Sequence, residues 1–239
     1  MTYLLGTSGW SYPDWKGRFY PEDLSQRKWL PFYAEHFNTV EINMTFYRFP
    51  KPETLKGWLD KTPSNFTFTL KANRQITHYK KLQDVKGDLR YFYLLADSLQ
   101  ERLGCILFQL PPSLTKNMDL LQGFLSHLSP NHKNVIEFRH ESWFSEDVYS
   151  LLRSHKVTFC VVSSPELPDH IVETAEASYF RFHGRIGWYK YNYTDEELKE
   201  WAEAIKKTKS KECFIYFNND YHGYAVANCK KLGEYLQTS

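Results

Sequence analysis

Short strand-forming apolar runs alternate with helical patterns about eight times along the 239 residues, with no linker or low-complexity stretch between them. A helix between two strands carries the chain back to the starting end of the sheet, so successive strands lie parallel rather than as hairpins. Eight such units close most naturally into a single α/β domain, a (β/α)8 barrel of the TIM type spanning residues 1–239. The rival arrangement is an open doubly wound sheet. Against it, no GxGxxG turn follows the first strand.

Strands are expected at residues 3–6, 39–43, 66–71, 105–110, 135–138, 157–162, 179–183 and 212–217. Helices are expected at 29–37, 52–61, 88–103, 117–128, 142–155, 194–207 and 225–237. Thr194 and Glu197 form a capping box at the start of one of them. The return after the sixth strand, residues 165–176, has the weakest helical pattern of the chain, and a weak or irregular helix is expected there.

The fifth unit shows what these strands carry. In NVIEFRHESWF (residues 134–144), Ile136 and Phe138 share one face, while Glu137 and Arg139 share the other. A strand that ends in charge and feeds a helix is how barrel enzymes present their chemistry. Applied to every strand, the same alternation sends the apolar parity toward the helices and the polar parity into the barrel. The inward set near the carboxyl ends is Glu41, Asn43, Lys71, Asn73, Gln109, Glu137, Arg139, Arg181, His183 and Asn218.

Packing alone is a poor account of so many converging polar groups, since an unpartnered buried charge costs several kcal/mol. Two readings remain. One is an internal ion-pair network, with Glu137 on Arg139 or Arg181; the other is a functional barrel mouth. Three cations (Lys71, Arg139, Arg181) face two carboxylates, so the cluster is cationic, and a phosphate or carboxylate ligand would balance it. The turn at Gly184–Gly187 lies where barrels often hold phosphate, although Gly-rich turns are common.

Aromatic residues follow the same strands: Trp10, Tyr12 and Trp15 after the first, Trp143 after the fifth, and Trp188, Tyr189, Tyr191 and Tyr193 after the seventh. At a rim they would stack on sugar or base rings; under long loops they would form small satellite cores. His140, His183, Glu41 and Glu137 are the side chains available to a single metal ion, but HxH, HExxH and clustered aspartates are absent, and no cofactor is expected. No GxSxG elbow marks a serine nucleophile.

Net charge is +2, so nothing global calls for nucleic acid or an anionic membrane. No run approaches the ~18 apolar residues of a membrane span. The first residues carry neither a basic region nor a long apolar run, so no signal peptide is expected. Cys105, Cys160, Cys213 and Cys229 sit in apolar or helical patterns without metal-ligand spacing, which suits buried free thiols in the cytoplasm.

Seven segments in order, GTSGWSYPDWKGRFYP, TVEINMTFYRFP, FTFTLKAN, LFQLPPS, IEFRHESW, YFRFHG and YFNND, together resemble the YecE-like family, domain of unknown function 72. The resemblance runs almost end to end and implies a TIM-type barrel, but it brings no reaction with it. Its matching positions include Gly6, Ser8, Trp10, Glu41, Asn43, Lys71, Gln109, Glu137, Arg139, Trp143, Arg181, His183, Gly184, Asn218 and Asn219. One departure is Val162-Ser163-Ser164, where the family pattern implies an acid near the end of strand six.

These features lead to the expectation of an enzyme acting on an anionic, phosphorylated or sugar-like small molecule. Glu41 and Glu137 are the acid/base candidates, Lys71 stabilises charge, and His183 shuttles protons. Asn43, Asn73, Gln109, Arg139, Arg181, Asn218, Asn219, Trp10, Trp143 and Tyr191 are the candidate substrate contacts. The alternatives are a nucleic-acid-binding or -processing protein using the same aromatic, cationic mouth, and a non-catalytic ligand-binding barrel.

Overall fold

A computed structural model describes residues 1–237. Eight strands form one sheet: β1 (Thr2–Thr7), β2 (Thr39–Ile42), β3 (Thr67–Lys71), β4 (Leu103–Gln109), β5 (Lys133–Glu137), β6 (Thr158–Ser163), β7 (Ala177–Phe182) and β8 (Glu212–Phe217). Each is parallel to its neighbours, and the sheet runs β1-β8-β7-β6-β5-β4-β3-β2. This is the nearly closed barrel that the alternation implies.

The remaining seam, between β1 and β2, is closed by one backbone bridge, Ser8 to Glu41, and by side chains. The Asn38 amide receives Leu5 N–H and donates to Tyr3 O, both at 3.0 Å. The Tyr33 hydroxyl receives Thr7 N–H at 2.8 Å and donates to Thr39 O at 3.1 Å. These contacts satisfy backbone groups that a continuous ladder would otherwise take. Gly6 lies at the tightest point. A Cβ there would collide with Thr39 O and meet the Tyr33 hydroxyl at 2.9 Å.

Side-chain parity sorts into two apolar layers. Val40, Ile42, Ile106, Phe108, Ile136, Phe138, Phe180 and Phe182 face outward into the core shared with the helices. Leu4, Cys105, Leu107, Val135, Cys160, Val162, Tyr179, Phe214 and Tyr216 fill the barrel itself. A second layer inside is polar: the Tyr216 hydroxyl lies 2.7 Å from Thr39 Oγ1 and donates to Thr69 Oγ1 at 2.9 Å. All four cysteines are buried free thiols.

The helices are α1 (Trp29–Ala34), α2 (Met44–Tyr47), α3 (Pro52–Leu59), α4 (Lys86–Ala96), α5 (Met118–Leu125), α6 (Glu146–Ser154), α7 (Asp195–Lys206) and α8 (Tyr224–Gln237). The capping box on α7 is present, with Thr194 and Glu197 each bonding the other's backbone. Four expectations need correction. The pattern at 88–103 breaks after Ala96 into a 3-10 segment with Gln100 at φ +53°, and the pattern at 142–155 breaks into a 3-10 turn followed by α6. Residues 165–176 form no helix, as Pro165 and Pro168 would disfavour one. Asn43 ends β2 in helical geometry (φ −85°, ψ −18°) and opens α2, which the periodicity did not signal. None of the described helices is long and apolar enough to cross a membrane.

Candidate functional site

The carboxyl ends of β2, β5 and β7 bring Glu41, Glu137 and Arg181 together at the centre of the mouth, all three essentially without solvent contact. Arg181 donates through Nε to Glu41 Oε2 (2.9 Å) and through Nη2 to Glu41 Oε1 (2.6 Å). Its Nη1 reaches Glu137 Oε2 at 2.5 Å. The same nitrogens make longer contacts with His183 Nε2 (3.4 Å) and Ser8 Oγ (3.5 Å). Every donor on this guanidinium is therefore committed within the protein. Arg139 extends the chain: its Nε pairs with Glu137 Oε1, and its Nη2 lies 3.1 Å from His183 Nε2. The order Glu41–Arg181–Glu137–Arg139 alternates in sign, and its formal charge sums to zero.

Protonation follows from this packing. Burial would raise the Glu137 pKa, but the adjacent Arg139 and Arg181 outweigh it and hold the carboxyl well below the usual range. Burial opposes charge on Arg181 as well, and Glu137 and Glu41 overcome it, so the guanidinium stays charged. His183 is brought down to about 3 by burial and by the two arginines. Its imidazole is neutral at physiological pH. The Trp188 ring covers both sides of this contact, 5.3 Å from the His183 ring and 4.8 Å from the Arg139 guanidinium.

Lys71, at the end of β3, is the exception. Its Nζ makes no hydrogen bond or ion pair among the described residues, and its side chain is mostly covered but keeps some solvent contact. What it has is the face of Phe46, at 4.3 Å from the ring centroid. That ring is placed by local chemistry: Thr45 Oγ1 bonds Ile42 O (3.0 Å) and Lys71 O (2.6 Å), pinning α2 onto the end of β3. Asn73 Nδ2 bonds Thr45 O from the other side at 3.0 Å. Burial, then the positive field of Arg181, lower the Lys71 pKa to about 7, against the opposing pull of Glu137 and Glu41. The surplus positive charge of the cluster is thus carried by Lys71 alone, not spread over three cations.

The sequence-derived candidates divide accordingly. Glu41, Glu137, Arg139, Arg181 and His183 form one bonded network, with Asn218 Nδ2 3.3 Å from His183 Nδ1 and Lys71 beside it. Asn43 Nδ2 bonds Ser8 O at 3.3 Å, leaving its buried Oδ1 without a partner. Gln109 bonds the adjacent Leu110 O (2.7 Å). Four candidates serve the frame around the mouth. Trp143 is fully buried, stacked on Phe138 at 4.7 Å, with Nε1 on Leu114 O (2.7 Å). Trp10 packs edge-on against Trp58 at 5.9 Å. The Tyr191 hydroxyl is held by the Glu197 carboxylate (2.8 Å), and Asn219 Nδ2 ties Tyr191 O (2.8 Å) to Asn228 Oδ1 (2.7 Å).

Two members of the cluster lie outside the sequence-derived set. The Tyr179 hydroxyl donates to Glu41 Oε2 at 2.7 Å. It stands two residues before Arg181 in β7, so the two-residue period carried inward past the strand end would find it. Phe46 had no such signal, because it sits on a four-residue helix fixed by contacts with β3. Among the described residues, no group of three or more His, Cys, Asp or Glu side chains is arranged to hold a metal ion.

A nearly closed parallel barrel with an ion-paired mouth at its carboxyl end defines a TIM-barrel protein. Residues 4–239 match the model for "Protein of unknown function DUF72", and the chain belongs to that family. It is 28% identical to the UPF0759 protein YunF of Bacillus subtilis over 99% of this chain and 95% of that one. It is 31% identical to the UPF0759 protein YecE of Escherichia coli K12 over 61% of this chain and 51% of the relative. A crystal structure of a DUF72 family protein from Thermotoga maritima superposes with TM-score 0.91 at 34% identity, covering 99% of this chain and 100% of that one. A DUF72 protein from Enterococcus faecalis shares the fold at TM-score 0.86 and 21% identity, over 100% of this chain and 96% of its own.

Proposed function

We propose that the chain is an enzyme acting on an anionic, phosphorylated or sugar-like small molecule at the carboxyl-end mouth of the barrel. The observation that carries this reading is Lys71. It is an amine, partly protonated at neutral pH, without a carboxylate partner among the described residues, beside a network whose own charges cancel. A structural network has no need of the extra ammonium, whereas a bound anion would balance it. Arg139 contributes as well, since its contacts run through Nε and Nη2 and Nη1 makes no hydrogen bond among the described residues. Glu41, Glu137 and Arg181 hold these two groups in place, and the depressed Glu137 pKa suits a fixed negative charge better than a proton donor. A neutral His183 suits hydrogen bonding better than shuttling as a cation.

Thermal stability in the presence of inorganic phosphate and a sugar phosphate tests the reading. Saturating ligand should raise the wild-type melting temperature by several degrees, since 100-fold excess over Kd is worth about 2.7 kcal/mol. Lys71→Met should lose that gain. Equal stabilisation of both proteins would place the anion elsewhere, and none in either would remove the reading.

One observation favours the nucleic-acid alternative. The Arg74 guanidinium lies 5.5 Å from the Tyr47 ring and 5.2 Å from the Tyr79 ring, and the two tyrosines are 64% and 62% exposed. Exposed cation–aromatic pairs of this kind grip single strands without reading sequence. Retention on a single-stranded oligonucleotide that falls steeply with salt would support that alternative; no retention at low salt would end it.

A further inference from the structure

We infer that Lys71 is a covalent nucleophile that condenses with the carbonyl carbon of an anionic aldehyde or ketone, a reading that rests on the anion-binding mouth proposed above. Three features of the geometry support it. Among the described residues the Lys71 nitrogen has no hydrogen-bond or ion-pair partner to hold its lone pair or its protons, unlike the arginines around it. The Phe46 face at 4.3 Å favours a cation at that position, and the product iminium is a cation. The neighbouring network is neutral and internally bonded, so no carboxylate locks the amine into a salt bridge.

Protonation agrees with this. Burial and Arg181 lower the amine to about 7, so a large fraction is the free base at neutral pH. A solvated lysine with a pKa near 10.4 is free in roughly one molecule per thousand or fewer. Lysines desolvated beside another cation are the ones that form imines.

The step balances as follows. The Nζ lone pair of the free amine forms a bond to the carbonyl carbon, and the C=O π pair moves to oxygen, which takes the proton that nitrogen gives up; solvent supplies the second proton that makes this oxygen a leaving water. The carbinolamine then expels that oxygen as water, and nitrogen supplies the π pair of the new C=N bond. Overall, carbonyl plus ammonium gives iminium plus water. Arg139 Nη1 would hold the substrate's phosphate or carboxylate, which restricts the class to carbonyl compounds carrying an anionic group.

Trapping with sodium cyanoborohydride tests the inference. Wild type, Lys71→Arg and Lys71→Met are incubated at pH 7 with pyruvate, dihydroxyacetone phosphate or glyceraldehyde 3-phosphate. Peptide mass mapping then reads the reduced adduct at each lysine. Lys71 should label on the order of 100-fold faster than surface lysines with at least one probe, because its free-amine fraction is roughly 1000-fold larger and its lower basicity gives back part of that gain. Its labelling rate should level off above pH 7, while that of surface lysines keeps rising. Lys71→Arg should keep phosphate-induced stabilisation and show no adduct on the strand 67–71 peptide.

Lys71 labelling no faster than surface lysines, with all three probes, overturns the inference. If phosphate still stabilises the wild type in that case, the anion site stands and only the imine falls. Rapid labelling without phosphate stabilisation would uphold the imine and remove the phosphate. The wild-type map compares lysines within one folded chain, so the test survives a variant that fails to fold.

Discussion

Replacing Glu137 by Gln removes one charge from the middle of the Glu41–Arg181–Glu137–Arg139 chain without changing its shape. Arg181 keeps Glu41, but Arg139 loses its only carboxylate, and the new amide presents N–H toward guanidinium N–H groups. Glu137 is 0% exposed, so water does not compensate readily. Breaking a buried pair from one side costs about 3–5 kcal/mol. Unfolding entropy for a chain of 239 residues is roughly 0.5 kcal/mol/K, so the expected loss is about 6–10 °C in melting temperature. The sign with pH is also fixed. Glu137 has a depressed folded pKa, so its contribution is present above the unfolded value near 4.5 and is lost as pH falls toward the folded one. The gap between the two proteins should be constant from pH 8 to 5 and narrow below that. Thermal melts with urea titrations at several pH values measure it. A variant melting within about 2 °C of wild type at pH 7, with unchanged urea dependence, would show that the mouth solvates its arginines and that Glu137 is not part of the scaffold.

Lys71→Met tests the opposite case. A lysine whose folded pKa is about 7 penalises the folded state fully below pH 7, and the penalty fades as pH rises toward 10.5. Wild type should therefore gain stability relative to Lys71→Met between pH 7 and 9.5, and parallel melting curves would refute the shift. Asp220, raised to about 7 by burial despite its 2.6 Å bond from Trp15 Nε1, penalises the folded state as pH rises from about 4 through 7. Asp220→Asn keeps an acceptor for the indole and should be the more stable protein at pH 8, with the difference vanishing near pH 4; equal melts at pH 8 would refute this. Gly6→Ala forces a methyl group against Thr39 O and should cost at least 1–3 kcal/mol by opening the seam between β1 and β2. Its melting temperature decides the point, and an unchanged value would mean that the seam yields freely.

Much of the fold was legible because its signals are local. A period of two sorted Val40 and Ile42 from Glu41, and Ile136 and Phe138 from Glu137, so the inner and outer faces of the barrel followed from neighbours along the chain. Strand–helix alternation then implied parallel strands, and eight of them implied closure. The convergence of Glu41, Glu137, Arg139, Arg181 and His183 followed from the same parity. Which charges find partners did not, because it depends on register around the closed sheet. Arg181 meets Glu41 across 140 residues of sequence and Glu137 across 44. Only that geometry neutralises both arginines and leaves Lys71 as the unpaired cation, over a Phe46 ring placed by Thr45. The β1–β2 seam was equally hidden, since a tyrosine hydroxyl and an asparagine amide there replace backbone ladder bonds. Period and composition are properties of a segment and survive in the sequence; partnership is a property of distance, and only the folded barrel sets it.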